Sequence, residues 1–214
     1  MAAFRSRWLT GAVTTCPTLT TERLLLRPFR ADDVDPLLAV MTTPGVRASL
    51  HVPDDYGRIQ AWASLVSMAG LWPVRGLGQW ALEERATGRF VGRAGLYWRP
   101  EPEWPGVEVG WTLDPAVWGL GYATEAGARS VRYGFEELGE TVLHSVILPG
   151  NTRSESVARR LGFRPGEERV LPHFPSAAHR IWRLERSAWE PGGAGDAGAG
   201  DAGAGGADTA VSAG

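Results

Sequence analysis

The stretch from Val107 to Ala126 constrains the fold most, because it predicts a strand, a tight turn and a helix start in direct succession. Apolar residues alternate with polar residues or glycine up to Leu113, a pattern typical of a half-buried strand. The pair Asp114-Pro115 ends the strand, since proline cannot donate to a ladder. After Leu120, apolar and small side chains recur at helical spacing, and two glycines lie across the start of this helix.

The turn before this helix is a candidate phosphate site. The first amide groups of a helix have no partner within it and carry partial positive charge, and glycine lets an anion approach the backbone. Two other phosphate motifs fit poorly, because the dinucleotide fingerprint lacks its third glycine at Thr124 and a P-loop requires a lysine, which the chain does not contain. The sequence therefore predicts that backbone amides bind a phosphate or pyrophosphate group here.

The composition predicts one cytoplasmic domain without a metal. A chain of 214 residues with 43% hydrophobic residues is long enough for a sizeable core. A net charge of -2 argues against a nucleic-acid or acidic-membrane partner. Cys16 is the only cysteine, so an internal disulfide is excluded, and no Cys/His cluster has metal-site spacing. We find no apolar run long enough for a signal peptide or a membrane span.

Local patterns divide the chain into three parts. Residues 1–19 are expected to be a flexible extension, residues 20–189 a folded domain, and residues 190–214 a disordered tail rich in Gly, Ala and Asp. Within the domain, alternating patterns predict strands at Leu24 to Phe29, Gln79 to Glu84, Arg89 to Trp98, Val107 to Leu113, Thr141 to Leu148, Gly166 to Val170 and His179 to Leu184. Helical spacing predicts helices at Arg30 to Met41, Tyr56 to Leu71, Leu120 to Phe135 and Asn151 to Arg160.

The first two helices carry more specific expectations. Pro44-Gly45 is expected to end the first helix, and a loop containing His51, a candidate for a pocket wall, follows it. In the second helix, apolar residues at helical spacing predict a buried face made of Ile59, Trp62, Ala63, Val66 and Gly70.

Three motifs in this order carry a resemblance to a known family: T-E-R-L-L-L-R-P-F, W-G-L-G-Y-A-T-E-A and N-T-R-S-E-S-V-A-R-R-L-G-F. Over about Thr20 to Ser187 the chain resembles the GNAT superfamily of acyl-CoA-dependent N-acyltransferases, and more narrowly the ribosomal-protein N-terminal (alanine) acetyltransferases. The resemblance implies an α+β fold with a mixed, mostly antiparallel central sheet. That sheet is expected to splay between its fourth and fifth strands and to be flanked by about four helices.

The resemblance also implies an acyl-donor site for acetyl-CoA. In relatives, the fourth strand pairs with the pantetheine arm, the following loop binds the pyrophosphate through backbone amides, and an asparagine contacts the arm. The matching residues here are Trp111, Thr112, Leu113, Trp118, Gly119, Leu120, Gly121, Tyr122, Ala123, Thr124 and Asn151. Trp118 is a departure, because the family's loop often starts with Gln or Arg. Asn151 also fits a plain helix N-cap.

Two residues are candidates for proton transfer. Glu108 alternates away from Val107 and Val109 near the expected splay, so it is the candidate base for the acceptor amine, although a solvent-facing strand carboxylate fits equally. Many relatives protonate the departing thiolate with a tyrosine, where this chain has Ala158. The ribosomal-protein branch is thought to use a serine near the helix start, which corresponds to Ser154. Its neighbour Ser156 is expected on a different helical face.

These residues predict an N-acetyltransferase that acts on a primary amine of a protein N-terminus, a peptide or a small molecule. Two alternatives remain, a non-catalytic acyl-CoA-binding module suggested by Ala158 and a transferase that uses succinyl-CoA or another acyl-CoA. The acceptor is expected to contact the first two helices and two connections, Trp98 to Trp104 and Leu171 to Ala178. Within these connections, the candidate residues for the wall of the acceptor site are Trp98, Trp104, His173 and Phe174. The resemblance also allows a homodimer.

Overall fold

A computed structural model of the protein describes residues 15–50 and 52–191. Residues 1–14 of the expected extension, residues 192–214 of the expected tail and His51 lie outside these described residues. The short segment before the first predicted strand is packed, since Leu19–Thr20 pairs with Leu25 and Leu26 and the indole of Trp80 donates to the Pro17 carbonyl oxygen at 2.8 Å.

The central element is an eight-stranded sheet with the order β1-β2-β3-β4-β5-β6-β8-β7. Its strands are β1 (Leu19–Thr20), β2 (Leu24–Arg27), β3 (Gln79–Glu84), β4 (Phe90–Tyr97), β5 (Glu108–Leu113), β6 (Val142–Ile147), β7 (Arg164–Val170) and β8 (Ala178–Glu185). Neighbouring strands are antiparallel except β5 and β6, which are parallel. The predicted α+β class and mostly antiparallel sheet are confirmed. The strand β1 was not predicted, so the expected fourth and fifth strands are β5 and β6.

In the part of the chain that the structure describes, five α-helices flank the sheet: α1 (Val34–Met41), α2 (Pro44–Leu50), α3 (Arg58–Arg75), α4 (Tyr122–Arg132) and α5 (Thr152–Arg160). A π-helical turn, Tyr133–Glu137, continues α4. The prediction missed α2, because Pro44-Gly45 was interpreted as the end of α1. Proline is also favoured in the first turn of a helix, where its missing amide would have no partner, and Pro44 is the first residue of α2.

The helices cover the two faces of the sheet and form two apolar cores. One core joins the sheet to α4 and α5, and it includes an aromatic group in which Trp72, Trp80 and Tyr133 have ring centroids 4.8 to 5.8 Å apart. The other core joins α1, α2 and α3. Trp118 packs against both cores, so the turn before α4 is held from two sides.

The sheet parts between β5 and β6. Within the described residues these strands share one residue pair, Glu108 with His144, and the His144 amide donates to the Val107 carbonyl at 2.9 Å. Backbone groups of alternate residues point to the same side of a strand, so Val109, Trp111 and Leu113 also direct theirs toward β6. Beyond the pair of Glu108 and His144, the backbone groups of Trp111 and Leu113 face the gap between β5 and β6. The predicted splay is therefore confirmed.

The buried face of α3 differs from the prediction. The residues that pack inward are Ala61, Leu65, Met68 and Trp72, whereas Ile59, Trp62, Ala63 and Val66 are exposed and Gly70 is half-buried. The prediction was wrong because this helix carries two apolar stripes at helical spacing, and periodicity alone cannot say which one meets the sheet. The outer stripe leaves Ile59 81% exposed and Val66 48% exposed.

Adjacent substitutions on α3 test this orientation. Leu65→Ala should lower the free energy of unfolding by about 2–4 kcal/mol, because it opens a cavity under a buried side chain. Val66→Ala should change it by about 0.5 kcal/mol or less, since that side chain is half exposed. Urea denaturation of both variants measures the difference, and the reverse order of effects would contradict the orientation.

Candidate active site

A cavity of about 840 Å³ lies where β5 ends, between α2, the start of α4 and the start of α5. It brings together most of the predicted donor-binding residues, namely Trp111, Thr112, Leu113, Trp118, Gly119, Gly121, Tyr122, Ala123, Thr124 and Asn151, together with Ser154. Leu120 is not among the lining residues, and its side chain is 51% exposed. Glu108 also lies outside the lining, farther back along β5.

The glycine turn has the backbone that an anion site needs. Gly119 and Gly121 have φ angles of +81° and +85°, in the left-handed region that favours glycine, and Gly121 is the N-cap of α4. A Cβ atom added at Gly119 would meet no heavy atom within 4 Å. The amides of Tyr122, Ala123 and Thr124 belong to the first turn, where a helix leaves its donors without internal partners. The turn thus presents backbone donors beside open space.

A buried carboxylate anchors this helix start to the beginning of the sheet. Glu125, 6% exposed, accepts hydrogen bonds from the Thr21 hydroxyl at 2.6 Å, the Arg23 amide at 2.8 Å and the Arg23 Nε at 2.7 Å. The Arg23 guanidinium also donates to the Leu120 carbonyl at 2.7 Å. Sequence reasoning missed this contact, although both partners lie in motifs that carry the family resemblance. It fixes the glycine turn and places a positive charge beside Gly121.

Trp118 closes the cavity between three elements. Its indole donates to the Leu113 carbonyl at 2.9 Å, and the Arg153 guanidinium lies 4.6 Å from the centroid of its ring. A Cβ atom on Gly45 of α2 would come within 2.7 Å of the indole, so only glycine allows this packing. Trp118, which stands where the family pattern has Gln or Arg, therefore has a structural role, because its ring joins β5, α2 and α5.

The first turn of α5 lines the opposite wall. The side-chain oxygen of Asn151 accepts a hydrogen bond from the Ser154 amide at 3.2 Å, so Asn151 is the N-cap. Ser154 and Ser156 lie two residues apart on α5 and therefore on different faces of it, as expected, and both line the cavity. Ala158 is completely buried and lies outside the lining.

Glu108 lies at the start of β5, opposite Tyr97 of β4 and beside His144 of β6. Burial raises the pKa of Glu108 from 4.5 to about 7, and the nearby Val146 amide and the charges of Arg93 and Arg99 offset only part of this effect. Burial likewise lowers the pKa of His144 from 6.5 to about 4, which keeps its ring neutral near pH 7. A carboxyl group that titrates near neutral pH is suited to proton transfer.

The two connections predicted to contact the acceptor meet on the same side of the sheet. Trp104 packs against Tyr97 and Phe174, with ring centroids 6.3 and 6.4 Å away. His173 lies against Phe174, and its Nε2 is 2.6 Å from a guanidinium nitrogen of Arg99. Trp98 instead packs under the guanidinium of Arg75. Because Tyr97 is the cross-strand partner of Glu108, this aromatic group borders the candidate base.

Residues 15–50 and 52–191 contain neither a metal-binding cluster nor a membrane-spanning helix. No group of three His, Cys, Asp or Glu side chains among them could hold a metal ion. No helix in that part of the chain is long and apolar enough to cross a membrane.

Comparison with known proteins identifies the family of the chain. Residues 23–164 match the model of the acetyltransferase (GNAT) domain. The chain belongs to this family. Over 158 residues it is 26% identical to the uncharacterized N-acetyltransferase YoaA of Bacillus subtilis, covering 74% of this chain and 88% of YoaA. The protein is therefore an acetyltransferase, as the sequence predicted.

Solved structures agree with the fold of this GNAT acetyltransferase. The acetyltransferase from Agrobacterium tumefaciens str. C58 superposes with a TM-score of 0.70 at 28% identity, over 82% of this chain and 98% of that one. The ribosomal-protein-S5-alanine acetyltransferase from Vibrio fischeri superposes with a TM-score of 0.65 at 15% identity, over 82% and 100% of the two chains. The second likeness concerns the fold alone.

The raised pKa of Glu108 predicts a pH-dependent effect on stability. The folded protein retains this proton up to about pH 7, whereas the unfolded chain loses it near pH 4.5, so the stabilisation present at low pH is lost as the pH rises between these values. Glu108→Gln cannot lose a proton. From about pH 4.5 to about pH 8, its free energy of unfolding should therefore rise relative to wild type by roughly 1–3 kcal/mol. Chemical denaturation at both pH values measures this, and a constant difference would contradict it.

Proposed function

We propose that this GNAT acetyltransferase transfers an acetyl group from acetyl-CoA to a primary amine by direct attack in a ternary complex. The observation that carries the proposal is the position of β5. Its unpaired backbone edge borders the large cavity, while the carboxyl group at its other end titrates near neutral pH. One strand can thus bring a donor and a base together.

The cavity fits the donor in shape and charge. The turn from Trp118 to Thr124 offers backbone amides for the pyrophosphate, and Gly119 leaves room for it. Arg153 and Arg160 line the cavity and supply positive charge for an anionic carrier, whereas the charge of Arg23 is compensated by its ion pair with Glu125. The backbone groups of Trp111 and Leu113 face the gap, where an amide-containing arm can pair with them. The Trp111 amide is our candidate donor to the thioester carbonyl.

Acetyl-CoA supplies the activated acetyl group, and the protein supplies alignment and proton transfer. In our proposal, the acceptor nitrogen forms a bond to the acetyl carbon as the carbon–sulfur bond breaks. Glu108 takes the proton that the amine loses, directly or through a water, and Ser154 gives a proton to the sulfur. Because burial raises the pKa of Glu108 to about 7, the carboxyl group can exchange a proton near neutral pH.

Release of free coenzyme A over a panel of amines tests the catalytic roles. Glu108→Gln should lower kcat/KM for the acceptor by about 10²–10⁴-fold, and it should remove the loss of activity that wild type shows below about pH 7. Ser154→Ala should lower kcat by about tenfold without weakening acetyl-CoA binding. A double variant as active as wild type would instead favour the non-catalytic acyl-CoA-binding alternative.

Matched glycine substitutions test the donor site. Gly119 and Gly88 both have positive φ, and a Cβ atom at either would meet no heavy atom within 4 Å. Gly119→Ala and Gly88→Ala should therefore lose similar stability, about 1–2 kcal/mol. Only Gly119→Ala should weaken acetyl-CoA binding, by about tenfold or more, because its methyl group enters the cavity. Calorimetric titration of both variants decides this, and equal affinities would contradict the site.

The identity of the acyl donor and the oligomeric state each need a separate measurement. Thermal shifts with acetyl-CoA, succinyl-CoA and longer acyl-CoAs compare the donors, since a ligand that binds the folded state raises its apparent stability. The homodimer that the family resemblance allows is tested by light scattering of the purified chain.

A further inference from the structure

A row of small residues crosses the sheet on the face that carries Glu108. Gly95 of β4 is paired with Gly110 of β5 and with Gln79 of β3, so two adjacent strands have no side chain in this row. The next row on one side contains Glu108 and Tyr97. Because residues two apart on a strand point to the same face, these side chains stand beside a shallow depression in the sheet.

Polar groups from three strands converge on this depression. A Cβ atom added to Gly110 would lie 3.3 Å from the Gln79 side-chain nitrogen and 3.8 Å from a Glu108 carboxyl oxygen. Arg93, whose cross-strand partner is Thr112, reaches back to hydrogen-bond the Gln79 side-chain oxygen. That bond leaves the nitrogen of the Gln79 amide turned toward the depression.

Arg93 is a cation whose charge the protein leaves largely uncompensated. Among the described residues, its side-chain hydrogen bond is to Gln79, and no carboxylate forms an ion pair with it. Burial lowers its pKa, whereas the more distant charge of Glu108 acts in the opposite direction. The side chain is only partly buried, so an incoming ligand can reach it. A guanidinium in this state favours a carboxylate, which it can bind with two parallel hydrogen bonds.

We propose that the acceptor carries a carboxylate next to its amine, as a free amino acid or a conjugate with a free α-carboxylate does. Arg93 and Gln79 bind the carboxylate, and Glu108 receives the amine across the Gly95–Gly110 depression. One carbon separates the two groups in such an acceptor, which agrees with the convergence of Gln79 and Glu108 on a single Cβ position. The inference rests on the proposed function, because it assigns the acceptor to the same Glu108.

The test compares matched acceptors with wild-type protein. Amino acids and their carboxamides differ in the charge beside the amine and, through it, in the pKa of the amine. Coenzyme A release therefore gives kcat/KM for each pair relative to the concentration of neutral amine. We expect the carboxylate form to be preferred by about 10- to 100-fold, which is the range for a hydrogen bond to a charged group. Equal values, or a preference for the carboxamide as a peptide-like acceptor, would overturn the proposal.

Arg93→Gln links the preference to this side chain. The variant should lose the carboxylate preference, so that kcat/KM becomes nearly equal for the two members of each pair, whatever the change in activity common to both. Arg164→Gln, at an exposed position on β7, is the matched control and should keep the preference. An Arg93→Gln variant that still prefers the carboxylate would refute the assignment. If that variant does not fold, the wild-type comparison alone still decides whether a carboxylate is selected.

A second substitution probes the depression itself. Gly110→Ala adds a methyl group 3.3 Å from the Gln79 nitrogen, so KM for the acceptor should rise by about tenfold while acetyl-CoA affinity is unchanged. An unchanged KM would contradict the placement of the acceptor.

Failure of this inference is separable from failure of the proposed function. Turnover without carboxylate selection removes only the inference, whereas no coenzyme A release from any amine removes both.

Discussion

The parting of β5 and β6 after the single pair of Glu108 and His144 is the constraint on which the rest of the site depends. An unpaired strand edge is normally covered or shortened, because its free backbone groups attract other strands. Here the edge is retained inside the protein, and α2, Trp118 and the start of α5 surround the space beside it. The unpaired groups are therefore accessible to a ligand but protected from other chains.

The same strand separates two kinds of chemistry. Its backbone edge faces the cavity that contains the glycine turn, three arginines and two carboxylates. The Glu108 side chain instead projects from one face of the sheet, where burial makes the carboxyl group hold its proton up to neutral pH. A strand achieves this because backbone groups and side chains project at right angles to each other. The rigid sheet then keeps the two sites in register.

Local sequence signals were sufficient for most elements but not for their contacts. The strands other than β1, the helices α4 and α5 and the Asn151 cap follow from alternation, helical spacing and one capping residue. The sequence could not show which stripe of α3 is buried, because both stripes are apolar, and Pro44 fits the start of a helix as well as the end of one. The bonds of Glu125 to Arg23 span 102 residues, and no local pattern reports them. The contact of Arg93 with Gln79 likewise appears only once the strands pair.

Trp118 shows how one side chain can shape the end of the cleft. Its indole N–H donates to the Leu113 carbonyl. The Leu113 carbonyl is the last backbone group of β5 that faces the gap between β5 and β6. Because the Trp118 indole occupies it, the unpaired edge of β5 ends at this residue. The ring then adds apolar contact with both cores and a surface on which Arg153 lies. A donor that is also large and rigid therefore defines the end of the cleft and holds a cation at its wall.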